Sequence, residues 1–254
     1  MDTKEKDDLK GRVVLVTGSC RGLGVVLGRV AAARGARVVF NCRTDHRHAE
    51  DAADRVRRTG REARAVRADV SDYEQARALV DQALAAFDHV DVLVNTVGGF
   101  VWKSVADMEP AEWRAMMSSN LDSVYNMCRL ALPGMRKRRF GRIVNLAAVG
   151  AERTLGQSKV SAYSAAKAAV VAFSKSLALE EARSGITVNV VCPGLVRGDD
   201  EAPASADNAN LSGRVPVGHA GSLEDVARAV FFFASPAADF VTGQVLAVSG
   251  GWLL

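Results

Sequence analysis

Tyr163 and Lys167 lie four residues apart in a stretch, 160–183, whose composition predicts a long helix. Residues four apart share one face of a helix, so these two side chains would be neighbours. An ammonium group beside a phenol stabilises the phenolate and lowers the tyrosine pKa from its reference value of about 10. A tyrosine tuned in this way exchanges a proton near neutral pH, so the pair predicts acid–base chemistry. The alternative is an ordinary exposed helix face, because this spacing also arises by chance.

A second candidate site is the glycine-rich segment 17–24 (TGSCRGLG), between a short apolar run and a helical pattern. Gly18, Gly22 and Gly24 permit a tight turn and a close approach of the backbone to a ligand. The helix that follows would offer free N–H groups and the positive end of its dipole to a pyrophosphate. The spacing G-x-x-x-G-x-G differs from the common G-x-G-x-x-G fingerprint, but its place between a strand and a helix predicts a nucleotide site.

The residues that follow the second predicted strand distinguish between two nucleotide cofactors. An acidic residue there binds the ribose 2′-OH of NAD, whereas an arginine accommodates the 2′-phosphate of NADP. This chain has Asn41, Cys42 and Arg43, with no acid before Asp45, and Arg21 lies in the glycine segment itself. Because a guanidinium group matches phosphate oxygens with a fork of donors, the sequence favours NADP(H). The alternative is that both arginines are simply solvated.

Apolar runs and helical patterns alternate along the chain, which predicts an α/β fold with a parallel sheet. A capping box at Ser71 and Glu74 predicts the start of the third helix, and Pro133 with Gly134 predicts the end of the fourth. The pattern indicates a single Rossmann-type, doubly wound sheet of about seven strands with helices on both faces. The predicted strands are 12–16, 37–40, 63–68, 90–94, 142–146, 186–191 and 245–248, and the predicted helices are 22–34, 49–59, 71–87, 110–132, 160–183 and 222–234.

The composition of the 254 residues is that of a globular protein, with 48% hydrophobic and 24% charged residues. It excludes a collagen, a disordered chain and a disulfide scaffold. No run of 18 apolar residues occurs, so we expect no contact with a membrane. We expect a charged tail at 1–10, without the apolar stretch of a signal peptide, and one domain at 11–254. The four cysteines form no C-x-x-C pair, which favours reduced thiols and a cytoplasmic location.

The net charge of +4 is modest, but basic residues cluster at 136–139 and at Arg142. Such a cluster could bind nucleic acid or a membrane. Cations also suit the negative end of a helix dipole, and no nucleic-acid motif accompanies these residues. We therefore expect a solvated helix end and no nucleic-acid partner. His46 and His48 lie two apart in a polar segment, which favours solvated histidines over a metal site.

Together these motifs resemble the short-chain dehydrogenase/reductase family across essentially the whole chain, and most closely the 3-oxoacyl-carrier-protein reductase type. The resemblance implies that Tyr163 is the general acid of carbonyl reduction, or the base of alcohol oxidation. It implies that Lys167 binds the nicotinamide ribose and that Asn120 holds a water of the proton relay. It also implies a homotetramer or homodimer. The motifs, in order, are TGSCRGLG at 17–24, Asp69 with Val70, NTVG at 95–98, Asn120, Tyr163 with Lys167, Pro193 with Gly194, and SGG at 249–251.

The cofactor-binding residues that the motifs and the resemblance imply form one set along the chain. Some would hold the pyrophosphate, some the adenosine and some the nicotinamide. The set is Gly18, Ser19, Arg21, Gly22, Leu23, Gly24, Asn41, Arg43, Asp69, Val70, Asn95, Gly98, Tyr163, Lys167, Pro193, Gly194 and Val196.

The chain departs from the family where a catalytic serine normally follows the fifth strand, because Ala147 and Ala148 stand there instead. That serine would hydrogen-bond the substrate carbonyl, and loss of such a donor typically costs about 10²–10³ in rate. Ser158 and Ser161 lie in the longer segment that follows and could substitute. Ser158 is favoured, because Ser161 points away from Tyr163 if the helix has already begun.

Three further features bear on the cofactor or the substrate. Gly198 stands where the family usually has a threonine that binds the nicotinamide amide. Phe100 and Trp102 could wall the substrate site or pack in the core. The polar segment 197–214 would form a lid, which hints at a polar or conjugated substrate.

The leading hypothesis is an NADPH-dependent enzyme that reduces a ketone of an acyl-thioester or natural-product type, or oxidises the matching alcohol. The alternative is an NADP-binding regulatory or structural protein that has lost catalysis, which the missing serine motivates.

Overall fold

A computed structural model describes residues 8–197 and 214–253. Its described strands form one parallel sheet in the order β3-β2-β1-β4-β5-β6-β7, which confirms the predicted doubly wound α/β architecture. The chain builds outward from β1 to β3 and then returns to the other side of β1. Ligands of such sheets bind beyond the carboxyl ends of the strands at this reversal. The strands are β1 (Val13–Val16), β2 (Arg37–Cys42), β3 (Ala63–Arg67), β4 (Val92–Asn95), β5 (Gly141–Leu146), β6 (Ile186–Pro193) and β7 (Val245–Val248).

Helices cover both faces of this sheet. The helices are α1 (Gly22–Ala33), α2 (His46–Arg57), α3 (Tyr73–Phe87), α4 (Pro110–Met117), α5 (Ser123–Arg138), α6 (Ser161–Glu181) and α7 (Leu223–Ala234), and a five-residue π turn (Ser118–Asp122) joins α4 to α5. One apolar core lies between the sheet and α3, α5 and α6. A second lies between the sheet and α1, α2 and α7. Successive residues of β1 alternate between the two cores, as period-two side chains must.

The predicted starts of the second and third helices and the predicted end of the fourth are wrong. The second helix begins at His46 rather than at 49. The third helix has Asp72 as its N-cap, whose carboxylate accepts from the Gln75 N–H, while the Ser71 hydroxyl donates to Asp69 instead. The fourth helical segment does not end at Pro133, because α5 continues to Arg138 through that proline. Met135, in the turn beyond the proline, is fully buried in the core. Packing of this last turn therefore outweighs the hydrogen bond that proline removes.

The basic cluster at the end of α5 is tied to the protein by ion pairs. Arg136 pairs with Glu181, whose side chain is fully buried, and Arg138 approaches the buried carboxylate of Asp91 at 3.4 Å. The Arg142 guanidinium donates to main-chain carbonyl oxygens, among them that of Ser235 at 3.2 Å. The expectation of a solvated helix end is wrong for Arg142, which lies in β5 and is buried, whereas Arg136 and Arg138 at the end of α5 remain partly exposed.

The predicted lid, 197–214, falls largely outside the described residues, as do Gly198 and most of the predicted tail at 1–10. Within residues 8–197 and 214–253, no helix combines the length and the apolar character that crossing a membrane requires.

Candidate active site

A large cavity of about 830 Å³ lies beyond the carboxyl ends of the strands, at the reversal between β1 and β4. Most of the predicted site residues line it, although they come from segments far apart in the chain. The four that do not line it are Ser19, Gly22, Asn95 and Val196. Those that do are Gly18, Arg21, Leu23, Gly24, Asn41, Arg43, Asp69, Val70, Gly98, Asn120, Tyr163, Lys167, Pro193 and Gly194.

The glycine segment forms the tight turn that its composition predicts. Gly18 has a φ of +64°, and a Cβ there would lie 3.0 Å from the Val97 side chain. A Cβ on Gly24 would lie 2.5 Å from the Cα of Ser19, so only glycine fits. Arg21, the N-cap of α1, makes no side-chain capping bond, which leaves N–H groups of the first turn to a ligand. An uncapped helix end behind a glycine cradle fits the pyrophosphate of a dinucleotide.

Ser19 and Asn41 hold this turn in place, and the predicted direct contact of Ser19 with the cofactor requires correction. Ser19 is fully buried. Its hydroxyl donates to the Val16 carbonyl oxygen at 2.8 Å and accepts from the Asn41 N–H at 2.7 Å. The Asn41 side chain accepts from the Gly18 N–H at 3.3 Å and donates to the Ala68 carbonyl oxygen at 3.0 Å. Both side chains therefore act as positioning residues.

Gly22 and Val196 also lie outside the lining of the cavity. Gly22 is the first residue of α1 and has a φ of +52°. A Cβ there would meet no neighbouring atom within 4 Å, so the role of this glycine is conformational. Val196 forms an isolated parallel bridge with Gly221. That bridge fixes the chain as it leaves β6.

Arg43 lines the cavity near the carboxyl ends of β2 and β3, and Arg21 lines it from the glycine turn. Arg43 approaches the carboxylate of Asp69 at 3.6 Å, and its own side chain is 66% exposed. Burial acts to raise the pKa of Asp69, but hydrogen bonds from Ser71 and the Arg43 guanidinium outweigh it and lower that pKa. The guanidinium groups of these two arginines leave the cavity receptive to an anion.

Lys167 is almost entirely buried below Tyr163. Its ammonium donates to the Leu146 carbonyl oxygen at 2.9 Å and lies 5.7 Å from the centre of the Tyr163 ring. Burial lowers the pKa of Lys167 to about 8. Burial also raises the pKa of Tyr163, as does the nearby Cys192. The prediction that Lys167 lowers the Tyr163 pKa is therefore wrong for the ligand-free protein, because desolvation dominates both groups.

Asn120 lies in the π turn and is fully buried. Its amide nitrogen donates to the carbonyl oxygens of Gly99 and Met116, each at 3.0 Å, while its Oδ1 atom is buried without a partner in the described chain. A Cβ on Gly98 would lie 2.4 Å from that Oδ1 and 3.1 Å from the Lys167 Nζ. A buried acceptor left unpaired beside an ammonium is the environment that an ordered water satisfies.

A buried polar network supports the floor of the site, and the sequence reasoning found only one of its members. Asn95 is buried, and its amide donates to the Asn145 Oδ1 at 2.8 Å. Asn145 in turn donates to the Ser174 hydroxyl at 2.9 Å. Asn95 therefore supports the site from below without facing the cavity. The sequence signal for Asn145 is a lone amide that follows the apolar pair Ile143 and Val144 in a predicted strand.

Cys192 and Glu152 form a second group that the sequence reasoning missed. Cys192 lies at the end of β6 and is fully buried. Burial raises the pKa of its thiol to about 12, and the hydrogen-bonded carboxylate of Glu152 acts in the same direction. The Glu152 Oε2 atom is buried without a partner in the described chain. The Cys192 thiol therefore stays protonated and uncharged at neutral pH.

A second cavity of about 590 Å³ adjoins Tyr163 on the side away from the glycine turn. Ala148, one of the two alanines that stand where the resemblance leads us to expect a serine, lines it, whereas Ala147 lines the first cavity. Ser158 is exposed and does not line it, which contradicts the preference for Ser158. Ser161 does line it, but its hydroxyl oxygen is buried without a partner in the described chain. A direct contact of Ser161 with a ligand would therefore require a different rotamer.

Phe100 and Trp102 wall this second cavity and are not core residues. They expose 58% and 60% of their surface. The Phe100 ring meets the Tyr163 ring edge to face, with centroids 5.1 Å apart and planes at 81°. This exposure rules out core packing, the alternative to a place beside the substrate.

The fold and these cavities define a nicotinamide-type oxidoreductase site, and the chain belongs to the short-chain dehydrogenase/reductase family. The family model that matches, described as enoyl-(acyl carrier protein) reductase, covers residues 18–253. The chain is similar to the 3-oxoacyl-[acyl-carrier-protein] reductase FabG of Haemophilus influenzae, with 38% identity over 97% of this chain and 100% of that protein. The FabG of Escherichia coli K12 is 36% identical over 96% and 98% of the two chains. The 3beta-hydroxysteroid dehydrogenase 1 of Eggerthella lenta is 38% identical over 98% and 96%.

Proposed function

We propose that this protein reduces a ketone to a secondary alcohol with NADPH, and catalyses the reverse oxidation when the alcohol is supplied. The observation that carries this proposal is the convergence of Tyr163, Lys167 and Asn120 on the cavity that the glycine turn also lines. Relatives named as a 3-oxoacyl reductase and as a hydroxysteroid dehydrogenase support ketone and alcohol substrates.

The protein's own residues divide the work of binding. The glycine turn and the first turn of α1 would hold the pyrophosphate, and Pro193 with Gly194 would border the nicotinamide. Lys167 uses one N–H on the Leu146 carbonyl oxygen, which leaves two for the nicotinamide ribose and a water. The bound dinucleotide supplies a hydride to the carbonyl carbon.

Tyr163 and Asn120 handle the proton. The Tyr163 hydroxyl donates its proton to the substrate oxygen as negative charge develops there. Burial raises the pKa of Tyr163, so the residue is fully protonated before the reaction, as a general acid must be. The unpaired Asn120 Oδ1 would hold the water that returns a proton through Lys167.

The preference for NADPH over NADH rests on the arginines. Arg21 and Arg43 both line the cavity, and guanidinium groups bind phosphate with paired donors. The Asp69 carboxylate lies beside Arg43 and would release or share it when a 2′-phosphate binds.

Oxidation of NADPH in the presence of a panel of ketones tests the proposal, with Tyr163→Phe as the comparison. We expect Tyr163→Phe to lower kcat by about 10² or more, while NADPH binding, followed by its fluorescence, stays within about twofold. Turnover that is unchanged in Tyr163→Phe would remove this residue from the role of proton donor.

A second function has one observation in its favour. Ala147 and Ala148 remove the hydroxyl that would bind the substrate oxygen, so the protein could bind NADPH as a regulator without turnover. NADPH binding in the micromolar range without turnover of any panel member would favour this second function. Measurable turnover, even at about 10²–10³ below an ordinary rate, would favour the enzyme.

We infer further that the protein forms a homodimer or homotetramer and acts in the cytoplasm. Exposed apolar side chains near the outer strand β7 support self-association: Phe232 at 54%, Phe240 at 99% and Leu246 at 40% exposure. Light scattering after gel filtration measures the assembly, and a monomer at micromolar concentration would contradict it.

A further inference from the structure

The second cavity has aromatic walls on both sides of the carboxyl end of β5. Phe100 and Trp102 follow β4, and their rings lie 6.3 Å apart at 45°. Trp252 approaches from the β6 side, where a Cβ on Gly194 would lie 3.4 Å from its ring. Since β4 and β6 are the two neighbours of β5, Phe100 and Trp102 belong to the segment that follows one neighbour, and Gly194 to the segment that follows the other.

Ala148, one of the two alanines that stand where a serine is expected, also lines this cavity. A methyl group there makes no hydrogen bond to a substrate. A serine hydroxyl would make one and would thereby restrict how a ligand lies between the aromatic rings. The volume of about 590 Å³ is ample for a ligand of several rings.

The lining of this cavity is uncharged apart from Lys167, which is turned into the protein toward Leu146. Its other polar side chains within the described chain are neutral: Thr154, Gln157, Ser161 and Ser164. A thioester arm that ends in a phosphate would find no cation among these described residues. Aromatic faces left more than half exposed instead gain most from a flat ring system that stacks on them.

We infer that the substrate is a flat, uncharged fused-ring ketone, held by Phe100, Trp102 and Trp252 with its carbonyl at Tyr163. The inference rests on the proposed ketone reduction and assigns its substrate class. The Phe100 ring contacts both the Trp102 ring and the Tyr163 ring, so a ligand that stacks on these aromatics lies next to the proton donor. Reduction adds hydride to the carbonyl carbon and the Tyr163 proton to the carbonyl oxygen, while NADPH becomes NADP⁺.

Three ketone probes distinguish recognition of a flat ring system from recognition of a thioester. 1-Tetralone is a flat fused-ring ketone, 1-decalone has the same carbon skeleton in a puckered form, and S-acetoacetyl-N-acetylcysteamine is a linear thioester. We expect kcat/KM for 1-tetralone to exceed that for each of the others by about tenfold or more, which corresponds to about 1.4 kcal/mol. A preference for the thioester or for 1-decalone would overturn the inference while leaving ketone reduction intact.

Trp102→Ala tests the wall itself, with Trp113→Ala as the matched control. Trp113 is also an exposed tryptophan, at 42%, but it lines neither cavity. We expect Trp102→Ala to lower kcat/KM for 1-tetralone about tenfold more than for the thioester, and Trp113→Ala to leave that ratio unchanged. An equal loss on both substrates would show that Trp102 is merely structural.

Binding of 1-tetralone, followed by quenching of tryptophan fluorescence in the presence of NADP⁺, gives an answer without turnover. Quenching that disappears in Trp102→Phe combined with Trp252→Phe supports the aromatic walls. If 1-tetralone binds in this way but no ketone is reduced, the proposed function fails and the ring-binding site stands. If it does not bind at millimolar concentration, the inference is overturned.

Discussion

The ammonium of Lys167 donates a hydrogen bond to the main-chain carbonyl oxygen of Leu146, at 2.9 Å, and lies 5.7 Å from the centre of the Tyr163 ring. This bond ties α6 to the end of β5 in the ligand-free protein. Because the ammonium is buried, its pKa falls to about 8 from 10.5. The side chain proposed to bind the nicotinamide ribose therefore also lowers the stability of the folded protein at neutral pH, because its charge is buried.

Removing this charge by Lys167→Met should change how stability depends on pH. In the folded protein the Lys167 pKa is depressed, so the native state holds fewer protons than the unfolded state between about pH 8 and 10.5. The wild type should gain on the order of 3 kcal/mol relative to the variant as pH rises through this window. Urea unfolding of both proteins at several pH values measures the difference.

Lys175→Met on the same helix serves as the control, because Lys175 is exposed. Comparison with a variant also cancels the opposite effect of the buried thiols, whose raised pKa values lower stability at high pH. A difference between wild type and Lys167→Met that stays constant with pH would show that the ammonium is solvated.

Gly24→Ala should disrupt the cofactor turn. The added Cβ would lie 2.5 Å from the Ser19 Cα and 2.6 Å from the Gly18 carbonyl oxygen, so the main chain must move. We expect the Kd for NADPH to rise at least about tenfold, as titration of NADPH fluorescence would show. Gly134→Ala in α5 is the control, since nothing lies within 4 Å of its Cβ position. Unchanged affinity in Gly24→Ala would mean that the pyrophosphate binds elsewhere.

Arg43→Ala should alter the choice between cofactors. Loss of one charge-assisted contact to phosphate costs about 1.5–3 kcal/mol, so the Kd for NADPH should rise about tenfold or more. The Kd for NADH should change little, because NADH lacks the 2′-phosphate. Arg47→Ala, an exposed arginine of α2 outside the cavity, controls for general charge. Equal losses for both cofactors would contradict a 2′-phosphate contact.

Asn145→Ala should destabilise the protein through the network below the site. The change leaves the Asn95 amide without the acceptor that it contacts at 2.8 Å, in a place with no access to solvent. A buried donor left unpaired costs about 1–3 kcal/mol, which urea unfolding would measure. Gln244→Ala, near the surface, should change stability by less than about 0.5 kcal/mol. A loss for Asn145→Ala no larger than that would show that water replaces the missing oxygen.

Much of the fold follows from local rules. Strand β7 (Val245–Val248) has the predicted bounds, α4 begins at Pro110, and Ser222 caps α7 as predicted. The errors occur where two local signals compete. Ser71 and Asp72 are both good caps, and only the bond from Ser71 to Asp69 decides between them. Pro133 locally predicts the end of the helix, but the burial of Met135 stabilises a further helical turn.

The site shows the same division between what sequence patterns reveal and what packing decides. The glycine turn, Tyr163 and Lys167 were found from spacing alone, because each motif is local. The upward shift of the Tyr163 pKa cannot be predicted from spacing, since it depends on burial by elements that are distant in sequence. Likewise, only the path of the chain before α6 shows that Ser161 borders the cavity and Ser158 does not.

Finally, the site depends on the number of residues in the π turn between α4 and α5. A π turn holds one residue more than an α turn, so the side chains after it are rotated by roughly 100° from a regular helix. This phase shift lets Asn120 face the cavity while Met127 and Cys128 still face the sheet. Deletion of one residue within the turn would force the helix to give up one orientation or the other. Helix phase thus couples the orientation of Asn120 to the packing of the core, and neither can be repositioned alone by substitution.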